Sequence, residues 1–187
     1  WARWYRVDGF RFDLMGHHPR ATMERLRAAL DRLTPQADGV DGAGLYLYGE
    51  GWNFGEVANN ALFTQATQGQ LDGTGIGTFN DRLRDAVHGG SPFDPDHRTY
   101  QGFGTGLLTQ SNGLDPRGWN DQAADLGHRT DLVRLGLAGN LRDYVMTLSD
   151  GSVRRGADLL HNGSPAAYAS APQENVNYVD AHDNETL

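Results

Sequence analysis

Two periods govern the placement of apolar residues along the chain. Over residues 7–14 the period is two: Phe10 and Phe12 alternate with Arg11 and Asp13, which predicts a strand. Over residues 20–33 it lengthens to helical spacing, with Met23, Leu26, Leu30 and Leu33 recurring among charged residues. Pro35 and the run Asp38-Gly39-Val40-Asp41-Gly42 end that helix in a loop. Leu45-Tyr46-Leu47-Tyr48 then reads as a short strand that runs into Gly49-Glu50-Gly51. Strand, helix, strand is a βαβ unit, so these two strands should be parallel neighbours.

The pattern is less regular further on. Residues 56–67 predict a helix, 76–79 a short strand and 81–87 another helix. Residues 89–127 are rich in Gly, Pro, Asp and Asn and hold no sustained period; loops of that length are usually functional or mobile. Residues 130–141 return to a helical pattern, and residues 175–181 form a last strand that ends in His182-Asp183-Asn184. No repeat, low-complexity tract or linker interrupts the chain, which reads as one domain or part of one. Acidic residues stand where the strands end, and a (β/α)8 barrel places its active site at the C-terminal ends of its strands. Such a barrel takes ~250 residues, so the strands here amount to about half of one.

Composition narrows the function classes. Of 187 residues 38% are hydrophobic, and adding the 25 Gly brings the apolar share to the ordinary value for a globular domain. Four Trp, seven Tyr and seven Phe supply core material and argue against disorder. No stretch approaches the ~20 apolar residues of a membrane span. A net charge of −8 argues against a nucleic-acid ligand, and the absence of Cys excludes disulfides and Cys-based zinc sites. All 16 basic residues are Arg, which reads as codon bias. The chain starts at Trp rather than Met, which suggests a piece of a longer protein, and in an internal piece the lack of a signal-peptide pattern says little.

Asp13, Glu50 and Asp183 are the acidic residues at strand ends. Arg11 and Asp13 lie two apart on one strand and therefore share a face, as do Tyr48 and Glu50. A guanidinium beside Asp13 would hold it oriented and charged, as a nucleophile requires. Three carboxylates that converge cannot all be ionised, so one would stay protonated and serve as a general acid. That combination suits retaining glycoside hydrolysis. By spacing alone, Arg-x-Asp at a strand end is usually a structural ion pair and Gly-Glu-Gly commonly just a turn.

The wording of the motifs goes further. Val7-Asp8-Gly9-Phe10-Arg11-Phe12-Asp13, Tyr48-Gly49-Glu50-Gly51-Trp52 and His182-Asp183-Asn184 resemble three of the four short motifs of the α-amylase superfamily, glycoside hydrolase family 13. Leu14-Met15-Gly16-His17-His18, Trp52-Asn53-Phe54-Gly55-Glu56-Val57 and Phe79-Asn80-Asp81-Arg82-Leu83-Arg84-Asp85-Ala86-Val87 resemble its pullulanase and limit-dextrinase branch of α-1,6-glucosidases. The resemblance runs from Val7 to Leu187 and is weakest over residues 89–127. It implies an incomplete α/β (β/α)8 TIM barrel, strands four to seven, within one catalytic domain. It implies Asp13 as the nucleophile, Arg11 as the residue holding it ionised, Glu50 as the acid/base, Asp183 as the transition-state stabiliser and His182 as a hydroxyl donor. The third-strand motif and the eighth strand of the family pattern are missing, so the isolated chain should be inactive and at best partly folded.

The implied substrate is a branched α-glucan: pullulan, amylopectin, limit dextrin or glycogen. Another enzyme of the superfamily, acting on α-1,4 bonds or transferring glycosyl groups, and a non-catalytic glucan-binding relative are the alternatives. Trp52 suits stacking on a sugar ring or packing at the barrel rim. His17 suits a hydrogen bond to substrate or a helix-capping turn rather than a metal, because no further ligand stands at coordinating distance in sequence. Asn184 completes the implied sugar-binding set. The Gly73-x-Gly75-x-Gly77 and Gly102-x-Gly104-x-Gly106 runs miss the dinucleotide fingerprint. Asn162-Gly163-Ser164 and Asn184-Glu185-Thr186 match the glycosylation sequon by chance. The chemistry requires no cofactor; some family members bind calcium, and Asp-rich loops such as the one with Asp94 and Asp96 could contribute to a structural calcium site in the full-length protein.

Overall fold

The computed structural model describes residues 1–91, 93–183, 186 and 187. The chain divides into two compact units, Trp1–Phe79 with Ala169–Val176 and Asn80–Tyr168 with Asn177–Leu187. Both are of mixed α/β type.

The first unit opens with a single helical turn, α1 (Ala2–Tyr5), and is built on a four-stranded parallel sheet. Its strands are β1 (Gly9–Phe12), β2 (Tyr46–Gly49), β3 (Gly77–Phe79) and β8 (Asn175–Val176), in the order β1-β2-β3-β8. Strands β1 and β2 pair in parallel with Arg11 opposite Tyr48 and Phe12 opposite Gly49, the neighbours expected of the βαβ pattern. Between them run α2 (Arg20–Leu30) and the short α3 (Pro35–Asp38), whose first turn is capped by the Thr34 hydroxyl accepting from Ala37 N–H at 3.2 Å. Met23 and Leu30 of α2 are buried with Met15, Leu45, Leu47, Leu71 and Ile76, and Phe10, Phe12, Leu26 and Leu33 pack against this core. On β3, Gly77 is required by its neighbour: a β-carbon there would lie 2.0 Å from the Tyr46 hydroxyl.

The second unit holds α4 (Asp81–His88), α5 (Trp119–Leu137), the antiparallel pair β4 (Val145–Thr147) and β5 (Val153–Arg155), and the two-residue pair β6 (Leu160–His161) and β7 (Ser164–Pro165). The fully buried Asn80 caps α4 by accepting from Leu83 N–H at 3.3 Å. Ala86, Leu132, Leu135, Met146, Leu159, Ala166 and Ala167 form its core. No described helix is long and apolar enough to cross a membrane.

Several elements differ from the sequence pattern, each for a local reason. The helix expected over residues 56–67 is a kinked 3₁₀ segment, Gly55–Asn60, because Ala58 is extended and Asn59 and Asn60 take positive φ. Helix α5 begins at Trp119, eleven residues before the apolar period becomes regular, and ends at Leu137 rather than at residue 141. Its first half is polar and held by ion pairs, with Asp125 bound by Arg117 at 2.8 Å and by Arg129 at 2.9 Å. The last strand stops at Val176 instead of residue 181: β3 ends at Phe79, opposite Val176, and offers no partner beyond it. The β4–β5 hairpin was not legible, since its exposed Val145, Val153 and Arg155 give little apolar alternation.

Candidate active site

Strands β1 and β2 end side by side, so the chain leaves the sheet at Asp13 and Glu50 together. Glu50 N–H donates to the Phe12 carbonyl at 3.1 Å, which continues the ladder by one residue. Arg11, on β1, reaches both carboxylates: Nη1 lies 2.5 Å from Asp13 Oδ1 and Nη2 lies 3.3 Å from Glu50 Oε1. The two acids sit in opposite surroundings, with the Asp13 side chain 67% exposed and that of Glu50 only 7%. The second Glu50 oxygen, Oε2, accepts from Leu14 N–H at 2.5 Å. Leu14 adopts the left-handed region at φ 47, which for a branched side chain is rare and turns its N–H toward the acid.

Phe79, at the end of β3, forms the aromatic side of this cluster. Its ring centroid lies 5.7 Å from the Arg11 guanidinium carbon, and it makes a T-shaped contact with Tyr48, 5.6 Å between ring centroids. Tyr48 in turn stacks on Tyr46 at 5.3 Å. The Tyr46 hydroxyl donates to the Gln173 carbonyl at 2.6 Å, and burial raises its pKa above the usual phenol range. The sequence reading quoted Phe79 as the start of a motif and the end of a strand but gave it no role at the site; the signal that marks one is its place as last residue of the third strand in a parallel sheet.

The loops after β1 and β2 are knitted together behind the acids. Gly16 N–H donates to the Glu50 carbonyl at 2.8 Å, and the fully buried Gln65 donates from Nε2 to the Gly16 carbonyl at 2.9 Å. Gln68 N–H donates to the Gly51 carbonyl at 3.1 Å and its Nε2 to the Phe79 carbonyl at 2.7 Å. Trp52 is half-buried in this framework. The His17 ring meets Phe54 edge-on at 4.7 Å, and its Nδ1 has no hydrogen-bond partner among the described residues.

Of the residues singled out from sequence, Arg11, Asp13 and Glu50 are thus in direct contact, and His17 and Trp52 belong to the loops beside them. His182 and Asp183 belong to the second unit, in a turn, with His182 Nε2 3.0 Å from Asp183 Oδ1. The strand that would have pointed them to opposite faces has ended before them. Asp183 edges a cavity of about 600 Å³ that Arg84, His88, Tyr100 and Tyr178 also line. Asn184 lies outside the described residues.

Among the described residues one group of His and carboxylate side chains is close enough to share a cation: Asp81, Asp85 and His161, with candidate ligand atoms within 4.8 Å of one another. These carboxylates are already matched by cations, Asp81 by Arg82 and Asp85 by Arg84 at 2.8 Å, while His161 lies 3.2 Å from Asp85. Asp96 is likewise engaged: hydrogen bonds from Arg98 lower its pKa to about 2.

No family model matches the chain. Individual proteins do. It is 52% identical over 188 residues to Pullulanase 1, chloroplastic, of Arabidopsis thaliana and 46% identical over 189 residues to the pullulanase of Klebsiella aerogenes. Both alignments take in all of this chain, which spans 19% and 16% of those relatives' lengths. The structure superposes on ligand-free PulA from Klebsiella pneumoniae with a TM-score of 0.86 at 46% identity, covering 100% of this chain and 16% of that one. It superposes on the maltotriose complex of the same protein with a TM-score of 0.85, again at 46% identity, covering 100% of this chain and 19% of that one. The pullulanase of Bacillus acidopullulyticus gives 0.60 at 29% identity, over 98% of this chain and 16% of that one. Along its whole length, then, the chain is homologous to pullulanases, and it corresponds to less than a fifth of each of these relatives.

Proposed function

We propose that the chain carries catalytic residues of a retaining hydrolase that cleaves α-1,6-glucosidic bonds in branched α-glucans such as pullulan, amylopectin, limit dextrin and glycogen. The observation that carries this reading is the single Arg11 guanidinium in contact with an exposed Asp13 and a buried Glu50 at neighbouring strand ends. Retaining hydrolysis needs two carboxyl groups about 5 Å apart, a spacing that one guanidinium touching both can span. Homology to plant and bacterial pullulanases supports the same class, and the maltotriose complex of the Klebsiella protein supports an oligosaccharide ligand. The parallel sheet is read as strands four to seven of a (β/α)8 barrel in one catalytic domain, in which the strand ends bearing Asp13 and Glu50 face the substrate.

In this scheme an Asp13 oxygen attacks the anomeric carbon while Glu50 gives its proton to the glycosidic oxygen. The carbon–oxygen bond breaks, the departing chain leaves as an alcohol, and a glucosyl ester remains on Asp13. Glu50, now ionised, takes a proton from water, whose oxygen attacks the same carbon and frees Asp13. Two inversions leave the anomeric configuration unchanged. Arg11 orients both acids and Leu14 N–H orients Glu50. Asp183 binds sugar hydroxyls and stabilises the oxocarbenium-like transition state, His182 and Asn184 donate to hydroxyls, Trp52 stacks on a sugar ring, and His17 hydrogen-bonds substrate. No cofactor enters the chemistry, and a structural calcium in the whole protein rests on the family resemblance alone.

The test is turnover of pullulan by the whole protein. Asp13→Asn and Glu50→Gln should each cut it by about a thousandfold. The released sugar should retain its α configuration in NMR. Ordinary turnover in Asp13→Asn would remove it from the nucleophile's role, and inverted product would overturn the double displacement. Preferred hydrolysis of amylose, or glucan binding without turnover, would assign the chain to an α-1,4-acting or a non-catalytic relative.

A further inference from the structure

We propose that Phe79 is a positioning residue for this reaction: its ring carries the Arg11 guanidinium and so sets the guanidinium between Asp13 and Glu50. The proposal rests on the hydrolase reading above and adds a residue to it. Phe79 is well fixed. As the last residue of β3 it pairs with Val176 of β8, and its carbonyl accepts from Gln68 Nε2 at 2.7 Å. Its ring is held edge-to-face by Tyr48 at 5.6 Å. Tyr48 lies opposite Arg11 in the β1–β2 ladder, so Arg11, Tyr48 and Phe79 stand on three consecutive strands of one sheet.

The Arg11 carbon is 5.7 Å from the Phe79 centroid, inside the ~6 Å reach of a cation–π contact. Both ion pairs of Arg11 use the two ends of this one planar group, so its placement sets both distances at once. Without the ring, the guanidinium would follow its shorter contact toward Asp13 and drop the 3.3 Å contact to Glu50. The loss would then fall on proton donation by Glu50 rather than on substrate binding.

The experiment compares Phe79 variants of the whole protein on pullulan and on α-maltosyl fluoride, whose leaving group needs no proton. Phe79→Leu should lower kcat on pullulan about tenfold with little change in KM, and should lower turnover of the fluoride much less. Phe79→Tyr should restore activity. Replacement by mono-, di- and trifluorinated phenylalanine, which keeps the shape and drains the ring face, should lower kcat stepwise. Full activity across the fluorinated series, or equal loss on both substrates in Phe79→Leu, would overturn the proposal. NMR of isotope-labelled arginine gives a readout independent of turnover: Arg11 side-chain protons should show a ring-current shift that Phe79→Leu removes, and no such shift would also overturn it. Absence of pullulan turnover in the unaltered whole protein would instead sink the hydrolase reading, with the ring-current result still deciding whether the contact exists.

Discussion

Gly16 and Trp52 are packed backbone to backbone: a β-carbon on Gly16 would lie 2.1 Å from the Trp52 carbonyl oxygen. The same Gly16 donates its N–H to the Glu50 carbonyl at 2.8 Å, so the loop after β1 rests directly on the segment that carries the candidate acid. Gly16→Ala should therefore destabilise the protein by about 1–3 kcal/mol, the usual cost of forcing atoms into filled space. Under the proposed reaction, pullulan turnover by the whole protein should fall with it, because the displaced backbone is that of Glu50 and Trp52. Denaturant melts paired with pullulan assays check both effects, and a variant with unaltered stability would show that the loop yields freely.

Glu174 is 4% exposed and spends both oxygens on chain closure. Oε1 accepts from Gly75 N–H at 3.0 Å, and Oε2 accepts from the Ser170 N–H at 3.2 Å and hydroxyl at 3.0 Å. Glu174→Leu leaves buried donors unpaired and should cost about 2–4 kcal/mol. Glu174→Gln keeps the shape and one acceptor and should cost less. Equilibrium unfolding of the two variants ranks them, and equal stability in Glu174→Leu would contradict the assignment.

Asp115 carries a pH dependence at the acid side. Its side chain is 2% exposed and accepts from Arg117 Nη2 at 2.6 Å and Nε at 2.9 Å, and hydrogen bonds from Arg117 hold its pKa below the ordinary carboxylate value. Because the folded pKa is depressed, its stabilisation is present above pH ~4 and is lost as pH falls through the folded value. Asp115→Asn should flatten the stability profile in that acid range and change it little at neutral pH beyond a constant offset. Melting temperatures recorded across acid pH for both proteins test this; parallel curves would refute it.

Tyr178 carries the opposite sign at the alkaline end. Burial pushes its pKa up to about 12, against the pull of Arg84, whose Nη1 donates to its hydroxyl at 2.6 Å. A raised folded pKa means that the contribution is complete below the unfolded value of ~10 and is lost as pH rises from there through about 12. Absorbance titration of the folded protein should show one phenol ionising late. Tyr178→Phe should remove that component and reduce the alkaline loss of stability, and its survival in the variant would assign the late phenol elsewhere.

Alternation in Phe10-Arg11-Phe12-Asp13 placed a strand with an acid at its end, and β1 with Arg11 on Asp13 is what forms. The amphipathic spacing of Met23, Leu26 and Leu30 placed α2, and the two together called for the parallel β1–β2 pair that the sheet contains. These are local signals: a period, a proline, a glycine. Residues 56–67 misled for the same reason, since helical spacing there is cancelled by positive φ at Asn59 and Asn60, which depends on how the loop closes over Gln65.

What the sequence by itself determined is the identity and order of the chemical groups: the carboxylates, the Arg two residues before Asp13, and the motif wording shared with pullulanases. Side chains two apart on a strand must share a face, so that much needs no tertiary information. Tertiary structure alone decided that Arg11 also reaches Glu50, 39 residues away in sequence, that Leu14 turns its N–H onto the same acid, and that Phe79 lies against the guanidinium. Those contacts come from strand register and loop closure. Both are settled by pairing and packing between segments that are distant along the chain, which no local period encodes.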